Sequence, residues 1–210
     1  MQSKIPCRGT SLLAVSDLSF ALQSGECFAL LGVNGAGKST TFKSLTREVQ
    51  PTEGKVYISG YDVQKDFMKA RKLMGYCPQP NLIFESMSVE EHLYYYARIK
   101  GIPTKHRMSM VELSISKLGL QIHRKKTAGT LSGGNKRKLC VAIALVGNPP
   151  IIFLDEPSAG MDPEARRFMW SVVAKIAERK TSAIVLTTHS MEEAEALSTK
   201  MGIMVKGGIF

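Results

Sequence analysis

No apolar run in this 210-residue chain is long enough to cross a bilayer; the longest, such as Leu139 to Val146, fall well short of the ~18 residues that a membrane-spanning helix needs. The polar N-terminus also lacks a signal-peptide core. Cysteine is scarce. Cys7, Cys27, Cys77 and Cys140 lie 20, 50 and 63 residues apart, with no CxxC pair and no histidine at ligand spacing, so neither a disulfide scaffold, a zinc site nor a redox couple is indicated. We read them as reduced, mostly buried thiols of a cytosolic protein. Internal repeats and low-complexity tracts are absent. What remains, 44% hydrophobic and 22% charged residues, suffices for one domain with a real core and excludes intrinsic disorder. The chain itself is expected to be soluble, and its stop at Phe210, just after a turn-like Gly207-Gly208, reads as a piece of something longer, truncated at both ends.

Acidic residues are short in one place. Between Arg98 and Lys138 eleven basic residues meet a single acid, Glu112, while the rest of the chain balances at seventeen of each sign, so this segment carries the whole net charge of +10. A concentrated basic face suits nucleic acid, an anionic membrane surface or a polyphosphate ligand, although a solvated lysine-rich helix gives the same count.

Short runs rich in Val, Ile, Leu and Phe predict strands at Cys27 to Leu31, Lys55 to Ser59, Ile151 to Leu154, Ala183 to Thr187 and Gly202 to Val205. Helical periods alternate with several of them. The clearest spans Pro163 to Arg179, where Ala165, Phe168, Met169, Val172, Val173, Ile176 and Ala177 recur on one face, with Asp162 as N-cap and Pro163 at N1. Continuous apolar strands interleaved with amphipathic helices predict an α/β core whose parallel sheet is covered on both faces. From Asn81 to Val146 the pattern changes to successive helix signals: a capping box of Ser88 and Glu91 ahead of His92 to Ile99, then Thr104 to Leu118, then Ser132 to Val146. This stretch reads as a helical subdomain (81–146) inserted between two parts of a core (12–80 and 147–210) within a single domain.

The strand ending at Leu31 runs into Gly32-Val33-Asn34-Gly35-Ala36-Gly37-Lys38-Ser39, which fits GxxxxGK[ST] and precedes a helix-compatible Thr40 to Leu45. Such a P-loop curls its backbone amides toward phosphate oxygens, and the helix N-terminus adds positive partial charge. Lys38 is placed to reach the terminal phosphates and the Ser39 hydroxyl to ligate Mg²⁺. Ile151 to Leu154 ends in Asp155-Glu156, which sets one acid to hold Mg²⁺ through water and the next to take a proton from an attacking water. Leu131-Ser132-Gly133-Gly134-Asn135 opens a helix with a hydroxyl and two glycine amides, an anion site with no lysine of its own. Taken alone, His189 reads as a helix-capping or core histidine and Gln79 as a loop residue.

In order, GVNGAGKST, YCPQ, LSGGN, IIFLDEP and TTHS make nearly the whole chain resemble the nucleotide-binding domain of an ATP-binding cassette (ABC) ATPase. The wording LSGGNKRKL, GMDPEARR and TTHSMEEAE is similar to the lipid-exporter A subfamily, and more to its second cassette than its first. The resemblance implies a P-loop NTPase (RecA-like) core with an inserted helical subdomain and a small N-terminal β region. It implies ATP and Mg²⁺ as cofactors, with Gly32, Asn34, Gly35, Ala36, Gly37, Lys38, Ser39, Thr40 and Gln79 on the nucleotide. Ser132, Gly133 and Gly134 of the signature act on the nucleotide of a second cassette, packed head to tail in cis or in trans. Glu156 is then the base, His189 the switch histidine and Lys38 their catalytic partner, while Ser39, Gln79 and Asp155 hold the metal. Ser158 to Asp162 forms the D-loop. The module implied is an ATP hydrolase on the cytosolic face of a membrane that powers lipid export by transmembrane domains.

Two positions depart from the family pattern. No Phe, Tyr or Trp precedes Phe20, and Cys7 falls near the place of the family's adenine-stacking aromatic; Arg47 stands where relatives often end the first helix with Gly, at a small expected cost. A competing function is a soluble cassette ATPase acting on ribosomes or nucleic acid through the basic segment. The second cassette of the ribosomal type and the long coiled coil of the chromosomal type are both missing here. A degenerate regulatory cassette is a third reading, opposed by intact Lys38, Asp155, Glu156 and His189.

Overall fold

Alternation along the apolar runs decides the layering. In the computed structural model, which describes residues 3–7 and 10–210 and side chains from Leu13 onward, the elements begin β1 (Ser3–Cys7), β2 (Thr10–Val15), β3 (Cys27–Leu31), α1 (Lys38–Leu45), β4 (Tyr57–Ile58), β5 (Tyr61–Asp62), α2 (Phe67–Lys72) and β6 (Met74–Cys77). They continue as α3 (Val89–Ile99), α4 (Thr104–Lys117), α5 (Gly133–Leu145), β7 (Ile151–Asp155), α6 (Pro163–Glu178), β8 (Ala183–Thr188), α7 (Met191–Leu197), β9 (Lys200–Val205) and β10 (Gly208–Ile209). The main sheet has the order β10-β9-β3-β8-β7-β6; all its pairs are parallel except β10 on β9. Cys27, Ala29, Ile152, Leu154, Ile184 and Leu186 face a core built with α3 to α7, while Phe28, Leu30, Phe153 and Val185 face a second one with Phe42 and Leu45 of α1, Ala70 of α2 and Ile58 of β4. Both faces are therefore covered, as the unbroken apolar strands require. Each large side chain so enclosed contributes about 1.5–3 kcal/mol of transfer free energy.

The predicted strand at Lys55 to Ser59 is corrected. Only Tyr57 and Ile58 are extended, and they pair antiparallel with β5 in a two-stranded ribbon outside the main sheet. Ser59 (φ 48°) and Gly60 (φ 83°) both take positive φ, which turns the chain tightly back on itself. β1 and β2 form a second antiparallel ribbon, the small N-terminal β region. The side chain of Cys7, at the place of the family's adenine-stacking aromatic, lies outside the described residues.

Local signals hold at several helix ends. Ser88 Oγ accepts from the Glu91 amide at 3.2 Å while Glu91 Oε2 accepts from the Ser88 amide at 2.7 Å, the reciprocal pair of a capping box. Asp162 Oδ1 accepts from the amides of Glu164 and Ala165. Arg47 has φ 59°, the left-handed conformation that the family's glycine would adopt freely, and its guanidinium lies 5.1 Å from the centre of the Phe67 ring, which offsets part of that cost. The cap of α7 is Ser190, not His189. Trp170 of α6, the only tryptophan, donates its indole N–H to Oε1 of the buried Glu193 of α7 at 2.9 Å.

Between Asn81 and Val146 the described residues form α3, α4, α5 and two short 3-10 turns (Gln121–His123 and Ala128–Thr130), with one isolated bridge, Ser88 to Thr127. α3 packs on α4, and α5 packs on both and also on β6 and β7. The basic surplus of this stretch is partly used inside: Arg124 pairs with Glu90 and Glu112, Lys100 donates to the Met74 carbonyl, and Arg137 is buried. No helix among the described residues is long and apolar enough to cross a membrane.

Burial also governs the thiols, pushing Cys27 and Cys77 up to about 12 and Cys140 to about 11. At about pH 8 the folded protein should therefore leave all three unlabelled by iodoacetamide, and unfolding in guanidinium should expose them together. Peptide mass mapping checks this; native labelling of any of the three would contradict the packing described.

Candidate active site

Because β8 lies between β3 and β7, the carboxyl ends of three parallel strands meet at one edge, the place where open α/β sheets bind ligands. Residues 32–40 leave β3, Asp155 and Glu156 end β7, and Thr187 to His189 end β8. A cleft of about 820 Å³ opens there, lined by Val33 to Thr40, Gln79 and Glu156, with Leu13, Ala14, Lys206 and Gly207 at its side. No aromatic ring lines it among the described residues. Gly37 permits the cradle, since φ is 110° and a Cβ there would sit 2.5 Å from the Ala14 carbonyl oxygen.

Lys38 opens α1 and turns back into the loop. Its ammonium donates to the carbonyls of Gly32 (2.5 Å) and Val33 (3.3 Å) and lies 3.7 Å from Glu156 Oε1, with the two side chains only 5% and 8% exposed. The other carboxylate oxygen, Oε2, is 2.9 Å from Nδ1 of His189, whose side chain is 61% exposed. Lys38, Glu156 and His189 thus form one connected chain of contacts, in which Lys38 and Glu156 line the cleft and His189 does not.

Glu156 holds a positive φ of 51°, which a residue with a Cβ adopts at a cost. Thr187 fixes one side of it: the Glu156 amide donates to both the carbonyl (3.2 Å) and Oγ1 (3.0 Å) of Thr187. The same hydroxyl donates to Asp155 Oδ1 at 2.5 Å. Burial raises the Asp155 carboxyl above its usual range, opposed by that hydrogen bond. Sequence reasoning missed Thr187, since a Thr-Thr pair at a strand end carries no signal of its own. It also missed Arg137, which in the sequence is only one member of the basic segment between Arg98 and Lys138.

Ser39 and Gln79 line the cleft, and Asp155 lies at the end of the neighbouring strand without lining it. A hydroxyl, an amide oxygen and a carboxylate fit the all-oxygen preference of Mg²⁺, which keeps waters and takes phosphate oxygens as further ligands. The described residues contain no cluster of three or more His, Cys, Asp or Glu.

Ser132, Gly133 and Gly134 are not brought to this cleft. They start α5, where Ser132 Oγ accepts from the Asn135 amide at 3.3 Å and nothing lies within 4 Å of a Cβ built at either glycine. Asn135 Nδ2 meets Nε2 of His123 at 3.0 Å. The open helix end borders a separate cleft of about 310 Å³ with Lys138, Asp162, Glu164, Ala165 and Phe168, and the two clefts have no lining residue in common.

A family model described as "ABC transporter" matches residues 15–159. The chain is 51% identical over 205 residues to human "Phospholipid-transporting ATPase ABCA3", covering 98% of this chain and 12% of that protein. It is 51% identical over 199 residues to human "Retinal-specific phospholipid-transporting ATPase ABCA4", covering 95% and 9%. It therefore spans about one tenth of the length of these relatives. Among solved structures, the dimeric post-hydrolysis state of the ATP-binding cassette MJ0796 bound to ADP and Pi superposes with a TM-score of 0.90 over 99% of this chain and 93% of that one, at 21% identity.

Replacing Thr187 by Val removes the hydroxyl shared by Asp155 and the Glu156 amide. The variant should lose about 1–3 kcal/mol of stability in urea titration, the cost of leaving buried polar groups short of a partner; an unchanged midpoint would show that the bridge holds nothing.

Proposed function

The chain belongs to the ABC transporter family, and on that premise we propose that it is a nucleotide-binding domain that binds and hydrolyses ATP, pairing head to tail with a second such domain to power lipid export by transmembrane domains. The observation that carries this reading is the separation of the two anion sites. The Lys38 cradle and the open N-terminus of α5 border different clefts of one chain, which supports a role for Ser132, Gly133 and Gly134 on a phosphate held by another cassette. A second cassette, in cis or in trans, supplies that phosphate. The dimeric state of the cassette MJ0796 and the names of the A-subfamily relatives support the assembly and the lipid cargo.

In this reading the amides of Asn34, Gly35, Gly37, Ser39 and Thr40 bind the phosphates, Gly32 and Ala36 shape the loop with amides that donate to the carbonyls of Thr188 and Val33, and Lys38 neutralises the terminal phosphate. Ser39, Gln79 and Asp155 would hold Mg²⁺, which would neutralise charge on the transferring phosphoryl group. Glu156 accepts a proton as the water oxygen bonds to the γ-phosphorus and the bond to the ADP oxygen breaks. His189, bonded to Glu156, orients that carboxylate and meets the same phosphate. Residues 12–80 and 147–210 form the ATP-binding core and 81–146 the helical subdomain. That subdomain's exposed lysines face an anionic membrane surface at the cytosolic side. The family match and the phospholipid-transporter relatives favour this over a cassette acting on nucleic acid.

Lys38→Ala should weaken ATP binding by roughly a hundredfold, about 2.7 kcal/mol, in equilibrium dialysis with magnesium. Glu156→Gln should keep the wild-type affinity, lose about 10²–10⁴ in turnover and accumulate an ATP-dependent dimer in size-exclusion chromatography. Undiminished hydrolysis by that variant would refute its role as base.

A further inference from the structure

Arg137 is 3% exposed, lies one turn inside α5, and has no carboxylate within ion-pair distance among the described residues. A guanidinium carries five N–H donors, and here every one of its directions ends on a main-chain carbonyl. Nε donates to Pro157 at 3.2 Å; Nη1 donates to Pro78 at 2.6 Å and Gln79 at 3.0 Å; Nη2 donates to Glu156 at 3.0 Å and to Asp155. Five carbonyls from two segments far apart in sequence, 78–79 and 155–157, thus converge on one side chain.

The second segment contains the strained residue. Glu156 keeps its left-handed backbone because it is gripped at both ends: its amide by Thr187, its carbonyl by Arg137. The backbone angle in turn directs the carboxylate to Lys38 and His189. The first segment carries Gln79, which lines the same cleft.

We propose that Arg137 is the positioning residue that holds Glu156 and the Gln79 loop in register for hydrolysis, and that it ties both to the helix whose N-terminus closes over the partner cassette's nucleotide. Arg137 does not line the cleft, so it acts through the backbone it organises. Lysine keeps the charge but offers three donors on a flexible stem and cannot span five carbonyls. Glutamine keeps the length only in part and loses the charge. The catalytic half of this proposal rests on the hydrolytic reading above.

The test compares the full chain with Arg137→Lys and Arg137→Gln. Two measurements are made: ATP binding and turnover with magnesium, and amide hydrogen exchange without nucleotide. ATP affinity should stay within about threefold of wild type because the cradle is untouched, while kcat falls about thirtyfold or more in Arg137→Gln and less in Arg137→Lys. Exchange should quicken together in residues 79–83 and 156–161 and stay unchanged in 32–45. A folded Arg137→Gln protein with kcat within twofold of wild type overturns the proposal. So does a loss confined to ATP affinity, or exchange unchanged in both loops. If the glutamine variant does not fold, the lysine variant is judged by the same criteria. Absence of turnover in the wild type would sink the hydrolytic reading alone, and the exchange data would still decide whether Arg137 holds the two loops together.

Discussion

A buried ammonium facing a buried carboxylate, Lys38 against Glu156 at 3.7 Å, is the interaction around which the molecule is arranged. Neither charge is left bare. The carbonyls of Gly32 and Val33 share Lys38, and His189 shares Glu156. Such a pair is weak evidence of stability, because desolvation takes back most of what attraction gives. Its value is that a polyanion entering the cleft competes directly for Lys38. In the proposed reading, each phosphate oxygen that approaches the ammonium weakens its hold on Glu156 and so frees the carboxylate.

Strand order makes that arrangement possible. With β8 inserted between β3 and β7, the loop after one strand, the acids after another and the histidine after the third share one edge. Thr187, on the middle strand, is the point where they are stitched together, contacting Asp155 and Glu156 at once. From the opposite side Arg137 reaches the same turn from a helix that begins at Ser132. Two independent supports, one from the sheet and one from the helical side, therefore fix a single strained residue.

What could be read in advance followed from how local its cause is. The P-loop, the capping box at Ser88 and the start of α6 at Asp162 are each specified by neighbours within a few residues, and each is found in place. The layering was legible too, since an unbroken apolar strand implies cover on both faces. The Lys55 to Ser59 run misled because its apolar residues serve a hairpin turned by Ser59 and Gly60, a reversal that hydrophobicity does not register. α2 and α7, with six and seven residues, are too short to establish a period. Arg137 was hidden for another reason. Its neighbours Lys136 and Lys138 make it look like one more member of a basic segment, and only the fold reveals that five carbonyls await it.

The bond between Trp170 and Glu193 has a practical side. Because the chain holds one indole, its tryptophan emission originates from a single seam, between the helix that follows Asp162 and the helix that follows His189. A buried carboxyl group hydrogen-bonded to that ring makes its spectrum sensitive to small rotations of either helix. The protein thus carries its own optical gauge of movement behind the histidine, readable in real time without attaching a dye.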